Sequence, residues 1–113
     1  MSDRTVLFVT AEEFGRGDEA LGAKLMSVML DTLGDFGQRI SHAIFVNGGA
    51  HLTVEGSPVL DQLRQLEQLG VQVLTCGTCL DYLGSADRLA VGKRSNMVEI
   101  LETLTTAGRI LRP

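Results

Sequence analysis

The stretch TVLFVT (5–10) decides the fold. It is an unbroken run of β-branched, aliphatic and aromatic side chains with no polar alternation, the pattern of a strand buried on both faces. Strands of that kind belong to parallel sheets, whose neighbours are joined by crossover helices. The next residues supply such a helix. A polar, glycine-containing segment, AEEFGRGDEALG, leads to Asp18 and Glu19, whose carboxylates suit the positive end of a helix dipole. The helix runs on to Leu33. Its apolar positions Leu21, Leu25, Val28, Met29, Leu33 and Phe36, with Met26 and Leu30 alongside, make a wide stripe. The extra width is expected to meet a neighbouring helix or another subunit. Gly34 and Gly37 end the helix.

The alternation then repeats. A second strand, His42 to Val46, stops at Asn47-Gly48-Gly49. AHLTVEG (50–56) reads as a loop or short helical turn. Ser57 reads as a helix N-cap with Pro58 at the first helical position. Val59, Leu60, Leu63, Leu66 and Leu69 follow at helical spacing, and Gly70 is the stop. VQVLT (71–75) is a third strand that runs straight into CGTC (76–79). Leu80 to Gly84 reads as a short helix or turn, and RLAV (88–91) as a fourth strand. Ser95 opens a final helix with Met97, Ile100, Leu101 and Leu104 inward, and RIL (109–111) is a last short strand.

This pattern predicts an α/β fold: a flavodoxin-like doubly wound, mostly parallel five-stranded sheet with helices on both faces, in the order 2-1-3-4-5. The 113 residues fit one domain, 1–113. A chain of this length buries roughly two thirds of its unfolded surface and needs no disulfide or metal to fold. In such sheets ligands bind beyond the carboxyl ends of the strands, at the switch between the first and third. That places Thr10 to Phe14, Asn47 to Ala50 and Cys76 to Asp81 at the expected site.

Composition narrows the partners. The net charge is −4 and the basic residues are scattered, Lys93-Arg94 being the densest pair. Nucleic acid, which rewards clustered cations, is an unexpected partner, and anionic membranes are disfavoured for the same reason. The opening residues MSDRTVLFVT lack the features of a secretion signal, and no apolar run reaches the roughly 18 residues of a membrane span. A cytoplasmic location is expected. In a reducing compartment two cysteines point to catalysis, redox or metal chemistry before a structural staple.

Those cysteines carry the strongest chemical signal. Cys76-Gly77-Thr78-Cys79 follows a buried strand and enters a helical turn, where backbone N–H groups and the dipole stabilise a thiolate, the nucleophilic form. Gly77 removes bulk from the turn. Lys93 and Arg94, on the same sheet edge, would stabilise a thiolate or a bound anion, and Asp81 would oppose them or accept a proton. Three chemistries fit a CxxC. Dithiol–disulfide exchange of the thioredoxin kind lacks its cis-proline, because the only prolines are Pro58 and Pro113. A structural zinc needs four ligands, and His42 and His51 are not at ligand spacing; neither metal nor cofactor is expected. A carrier thiol that holds sulfur or selenium as a persulfide or its analogue needs one activated cysteine and a second to release the cargo. Against all three stands the plain reading of cysteine as a small buried hydrophobe.

Four stretches together, GRGDEALGAKLM (15–26), FVNGGAHLTVEGSPVL (45–60), CGTCLDYLG (76–84) and AVGKRSNMVEIL (90–101), resemble the DsrE/DsrF-like superfamily, closest to the DsrE-like domain of the YedF family, which is sulfurtransferase-like and associated with selenium metabolism. CGTCLDY and the GxGDExLG pattern are the most specific parts. The resemblance implies a flavodoxin-like fold, a homo-oligomer (trimer or hexamer), and transfer of sulfur or selenium between proteins as a cysteine-bound persulfide. It places the carrier at Cys76, with Cys79 assisting. Longer YedF-like proteins carry an N-terminal TusA-like domain; this sequence opens on the first strand, so a separate TusA-like sulfur carrier, or another persulfide donor or acceptor, is the expected partner. The alternative function is a non-catalytic oligomeric module that binds a small anion or partner peptide, with the CxxC as a redox sensor.

The remaining candidates have simpler readings beside their functional ones. Asn47, Gly48 and Gly49 would bind an anion or form a tight turn. Gly15, Gly17 and Asp18 would form an anion nest or simply start a helix. Glu12 and Glu13 read as solvated charges, His51 as a surface histidine, and Met26 and Met29 as core or subunit interface. Ser95 and Asn96 read as caps of the last helix, with Asn96 near the expected site and Thr10 lining it.

Overall fold

The computed structural model describes residues 4–113. Five strands form one parallel sheet: β1 (Thr5–Val9), β2 (Ile40–Phe45), β3 (Gln72–Cys76), β4 (Lys93–Ser95) and β5 (Arg109–Leu111), in the order β4-β3-β2-β1-β5. Four helices connect them: α1 (Glu19–Thr32), α2 (Leu60–Gln68), α3 (Gly77–Tyr82) and α4 (Met97–Thr105), with 3-10 segments at Leu33–Arg39 and Asn47–Thr53. The α/β class, the five parallel strands and helices on both faces agree with the sequence. Among the described residues no helix is long and apolar enough to cross a membrane.

The strand order differs from the expected 2-1-3-4-5. β2, β3 and β4 are added in turn to one side of β1, and β5 returns to its other side. Right-handed crossovers then put α1 and α2 on one face and α4, which runs back the other way, on the opposite face. The core divides accordingly. Leu7, Val9, Ala43, Phe45 and Val73 pack with Met26 and Leu30 of α1 and Leu63 and Leu66 of α2. Val6, Ile44, Leu74 and Cys76 pack with Ile100 of α4, joined by Phe8, Val46, Cys79 and Leu104. Alternation along each strand sorts the two sets. One face is therefore covered by two helices and the other by one.

The fourth strand also moves. Arg88–Val91 is not in the sheet: Leu89 makes an isolated antiparallel bridge to Val54, and the Ala90 N–H donates to the Thr53 carbonyl at 2.9 Å. Gly92, at φ +71°, turns the chain so closely against Val73 that a Cβ would overlap the Val73 carbonyl oxygen. The strand that pairs with β3 is the polar Lys93–Ser95. Polar, charged and three residues long, it is a protected edge rather than a buried strand. Two helix starts are corrected as well. α2 begins at Leu60, with Ser57 accepting a hydrogen bond from the Val59 N–H in the turn before it. α4 is capped by Asn96, whose Oδ1 accepts from the Glu99 N–H, while Ser95 ends β4. At α1 the expectation holds, with Asp18 as the cap accepting from the Leu21 N–H.

Candidate functional site

The site begins where β3 becomes α3. Cys76 is the last residue of the strand and the N-cap of the helix, with extended backbone (φ −57°, ψ 123°). One helical turn brings Cys79 back to the same side. Both cysteines are free thiols. Cys76 is buried, 2% exposed, while Cys79 is only half-buried. The register of this turn is fixed from below. Thr75, fully buried, bonds through its hydroxyl to the hydroxyl of Thr53 at 2.8 Å, and Thr53 donates to the Ala50 carbonyl. That pair clamps β3 to the 3-10 segment that starts at Asn47.

Asn47 is the second part. Its backbone N–H donates to Cys79 Sγ at 3.1 Å. It holds this direction with φ +53°, a left-handed conformation that Asn tolerates better than most residues. The neighbouring chain enforces it. The Val46 N–H donates to the Val9 carbonyl, and Gly49 lies so near that carbonyl that a Cβ there would overlap it. Close approach thus explains Gly49. Gly48 has only ordinary contacts, 3.5 Å from Ala11 Cα to the position of a Cβ. Burial pushes the Cys79 thiol above its usual range; the Asn47 N–H pulls it down, and contact with Cys76 adds to the rise. Of these influences the Asn47 N–H is the one that favours a Cys79 thiolate.

Arg94 is the third part. It makes a bidentate pair with Asp81, both bonds 2.8 Å. This pair holds the Asp81 carboxyl below its usual range and raises Arg94 further. The guanidinium lies across Gly77: a Cβ there would stand 2.7–2.9 Å from its Nε, Cζ and Nη2. Gly77 thus admits Arg94, beyond any need of the turn itself. The guanidinium sits close enough to Cys76 for the two to interact electrostatically. Asp81 anchors the arginine and offsets its charge.

The two cysteines open onto a cleft of about 400 Å³ between α3 and α4, on the α4 face of the sheet. Its lining includes Phe8, Val46, Tyr82, Leu83, Met97 and Leu101, with Asn47 and Thr78 beside the sulfurs, and no charged side chain. Tyr82 is 90% exposed, Met97 53% and Leu101 51%.

The structure thus brings together Cys76, Cys79, Asn47, Gly77, Asp81 and Arg94 from the expected set. Lys93 lies elsewhere, lining a separate depression with Glu67 and Gln72. Asn96 is occupied as a cap. Thr10 and Gly48 pack behind Asn47 and do not line the cleft. His51 is exposed at the end of its 3-10 segment, and Met26 is core. The site is at the carboxyl edge of the sheet, as expected, but between the ends of β2 and β3, because β1 and β3 are not neighbours. Phe8, Val46, Tyr82, Leu83, Met97 and Leu101 had no place in the sequence-based site. The signal was present in α4, where Met97, Ile100, Leu101 and Leu104 form an apolar face wider than one sheet contact requires, and only Ile100 is fully buried.

No protein-family model matches this sequence, and no curated protein is similar to it. Solved structures are. The ychN protein from E. coli superposes with a TM-score of 0.73 at 16% identity, over 97% of this chain and 99% of that one. MTH1491 from Methanobacterium thermoautotrophicum, a protein of unknown function, gives 0.71 at 19% identity, over 97% and 98%. BT1422 from Bacteroides thetaiotaomicron, also of unknown function, gives 0.67 at 13%, over 98% and 96%. The fold is shared. In this chain it is a five-stranded, all-parallel α/β sheet with interleaved helices.

Proposed function

We propose that this protein is a cysteine-based sulfur relay protein, which accepts a sulfane sulfur (or selenium) on its CxxC and passes it to a partner such as a TusA-like carrier. The observation that carries this reading is the pair of free thiols on one helical turn, opening onto a common cleft, with the Asn47 N–H aimed at Cys79 Sγ. The resemblance of CGTCLDYLG and its companion stretches to the YedF family supports it. The burial of the two sulfurs argues for exchanging the roles given by that resemblance. Cys79, the more accessible, meets the donor; Cys76, in the wall of the cleft beside Arg94, is the resolving thiol. Attack of a Cys76 thiolate on the Cys79 sulfur of a loaded Cys79–S–SH forms the Cys76–Cys79 disulfide and expels HS⁻, after which an external thiol restores the dithiol. A partner thiolate that attacks the outer sulfur instead takes the cargo and leaves Cys79 reduced.

The small-anion form of the alternative reading has less to support it, since the cleft lining holds no charged side chain and Arg94 is already paired. Intact mass after exposure of reduced protein to a persulfide donor tests the relay. Wild type gains one sulfur, Cys79→Ser gains none, and Cys76→Ser loads but fails to release HS⁻. Loading lost only in Cys76→Ser returns the carrier role to Cys76. Absence of any adduct in the wild type refutes the relay.

A further inference from the structure

We propose that the cleft beside the thiols seats the organic tail of a small persulfide donor, R–S–SH, in which R is an uncharged alkyl or aryl group. This rests on the relay reading above and names its substrate class. The sulfane end of a donor must reach Cys79 Sγ, and the remainder of the molecule must then lie against the surface that surrounds it. That surface is Phe8, Val46, Leu83, Met97, Leu101 and the ring of Tyr82. Cations that would hold a carboxylate-bearing or sulfonate-bearing tail are missing from it. Arg94 is tied to Asp81 and does not line the cleft, and Lys93 lines a different depression. Of the polar residues in the lining, Asn47 donates its N–H to Cys79 Sγ, which serves the reacting end and not the tail.

The size agrees. Cavities of roughly 150 Å³ lined by Leu, Ile and Phe bind benzene, and small-molecule sites start at roughly 300 Å³. At about 400 Å³ this cleft takes a group larger than a phenyl ring. Half-exposed Met97 and Leu101, from successive turns of α4, are the side chains that such a tail would cover, and Met adapts its shape to varied apolar ligands.

The transfer is balanced. The Cys79 thiolate attacks the outer sulfur of R–S–SH; the donor's S–S bond breaks and R–S⁻ leaves with its electron pair. The proton lost by Cys79 ends on the leaving thiolate, so Cys79–SH and R–S–SH become Cys79–S–SH and R–SH, with no external oxidant or reductant.

Loading rates from benzyl persulfide and from glutathione persulfide, read by intact mass on the full chain, test the inference. Benzyl persulfide is expected to load faster by about tenfold, the equivalent of burying roughly 60 Å² of apolar surface. In Leu101→Glu, and in the milder Met97→Gln, the ratio of the two rates falls towards one. Benzyl methyl sulfide, an unreactive analogue, is expected to shift the methyl resonances of Val46, Met97 and Leu101 in wild type and to leave those of Leu63 and Leu66 unmoved. Equal rates from both donors, or no shifts with the analogue, overturn the apolar-tail site while the relay stands. No loading from either donor overturns the relay and this inference with it. If light scattering shows an oligomer that Leu101→Glu dissociates, and that variant loads faster, the cleft is covered by a second copy and the inference is wrong.

Discussion

Thr53 and Thr75 bear the clamp that sets Asn47 against Cys79, and their hydrogen bonds are unequal. Thr53 donates to the Ala50 carbonyl at 3.2 Å, so the 2.8 Å contact between the hydroxyls is donated by Thr75. Both side chains are wholly buried. Thr75→Val, close to isosteric, removes one hydrogen bond and leaves the Thr53 hydroxyl still bonded to Ala50; the cost is about 1 kcal/mol. Thr53→Val leaves the Thr75 hydroxyl buried without an acceptor and frees the Ala50 carbonyl; orphaned buried groups cost ~1–3 kcal/mol, and about 2 is expected. The double variant loses no further partner, so it falls short of the sum by about 1 kcal/mol, as contacting residues do. Urea unfolding read at constant m reports the three values. For a chain of this length each kcal/mol moves the melting temperature by about 4 °C. The same variants also loosen the hold on Asn47, so Cys79 alkylation by iodoacetamide is expected to change in Thr53→Val beyond its change in Thr75→Val. Equal single-variant costs that add without coupling would refute the donor assignment and the clamp.

Three further outcomes follow from the fold and the charges. Gly92→Ala meets both a positive φ and the Val73 backbone, so it is expected to cost more than about 2 kcal/mol, whereas Gly84→Ala, at φ +69° in open space, costs about 1 by the same urea assay. Burial, then the charge of Arg4, depress the His42 pKa against the opposing pull of Glu99. The folded state therefore resists protonating His42: its contribution is intact above the ordinary histidine pKa and is lost as pH falls through the depressed value. His42→Gln is expected to flatten the stability profile on that acidic side, and an unchanged profile would exclude His42 as its source. Arg94→Gln is expected to return the Asp81 carboxyl to the ordinary range in an NMR titration; no movement would mean that the pair does not persist in solution.

Much of the fold was legible because burial and periodicity coincide. TVLFVT, the 42–46 strand and VQVLT are nearly continuous apolar runs, and each is a strand within a residue or two. Asp18 at the start of α1 and Gly70 after α2 read correctly for the same local reasons. RLAV misled because an apolar run also suits a segment packed on the sheet's connections, and the true β4, KRS, carries no hydrophobic signal at an edge. Strand order is not written in periodicity at all; it depends on which crossover returns, here the one through α4. At the site, the thiols and Arg94 were visible as residue types. The contribution of Asn47 was not, because it acts through its backbone N–H. Gly77 was visible, but its reason lay seventeen residues away by sequence count in Arg94.

The unequal cover of the sheet has a kinetic side. α1 and α2 bury Met26, Leu30, Leu63 and Leu66 in one contiguous core, whereas α4, nine residues long, is held to its face mainly by Ile100 and Leu104. Elements with few buried anchors open at free energies well below that of global unfolding. Amide hydrogens of α4 should therefore exchange ahead of those of α1. Each such opening lifts the wall of the thiol cleft and brings Cys76 to solvent, so the reactivity of this buried thiol is set by the lifetime of a single short helix on the sheet.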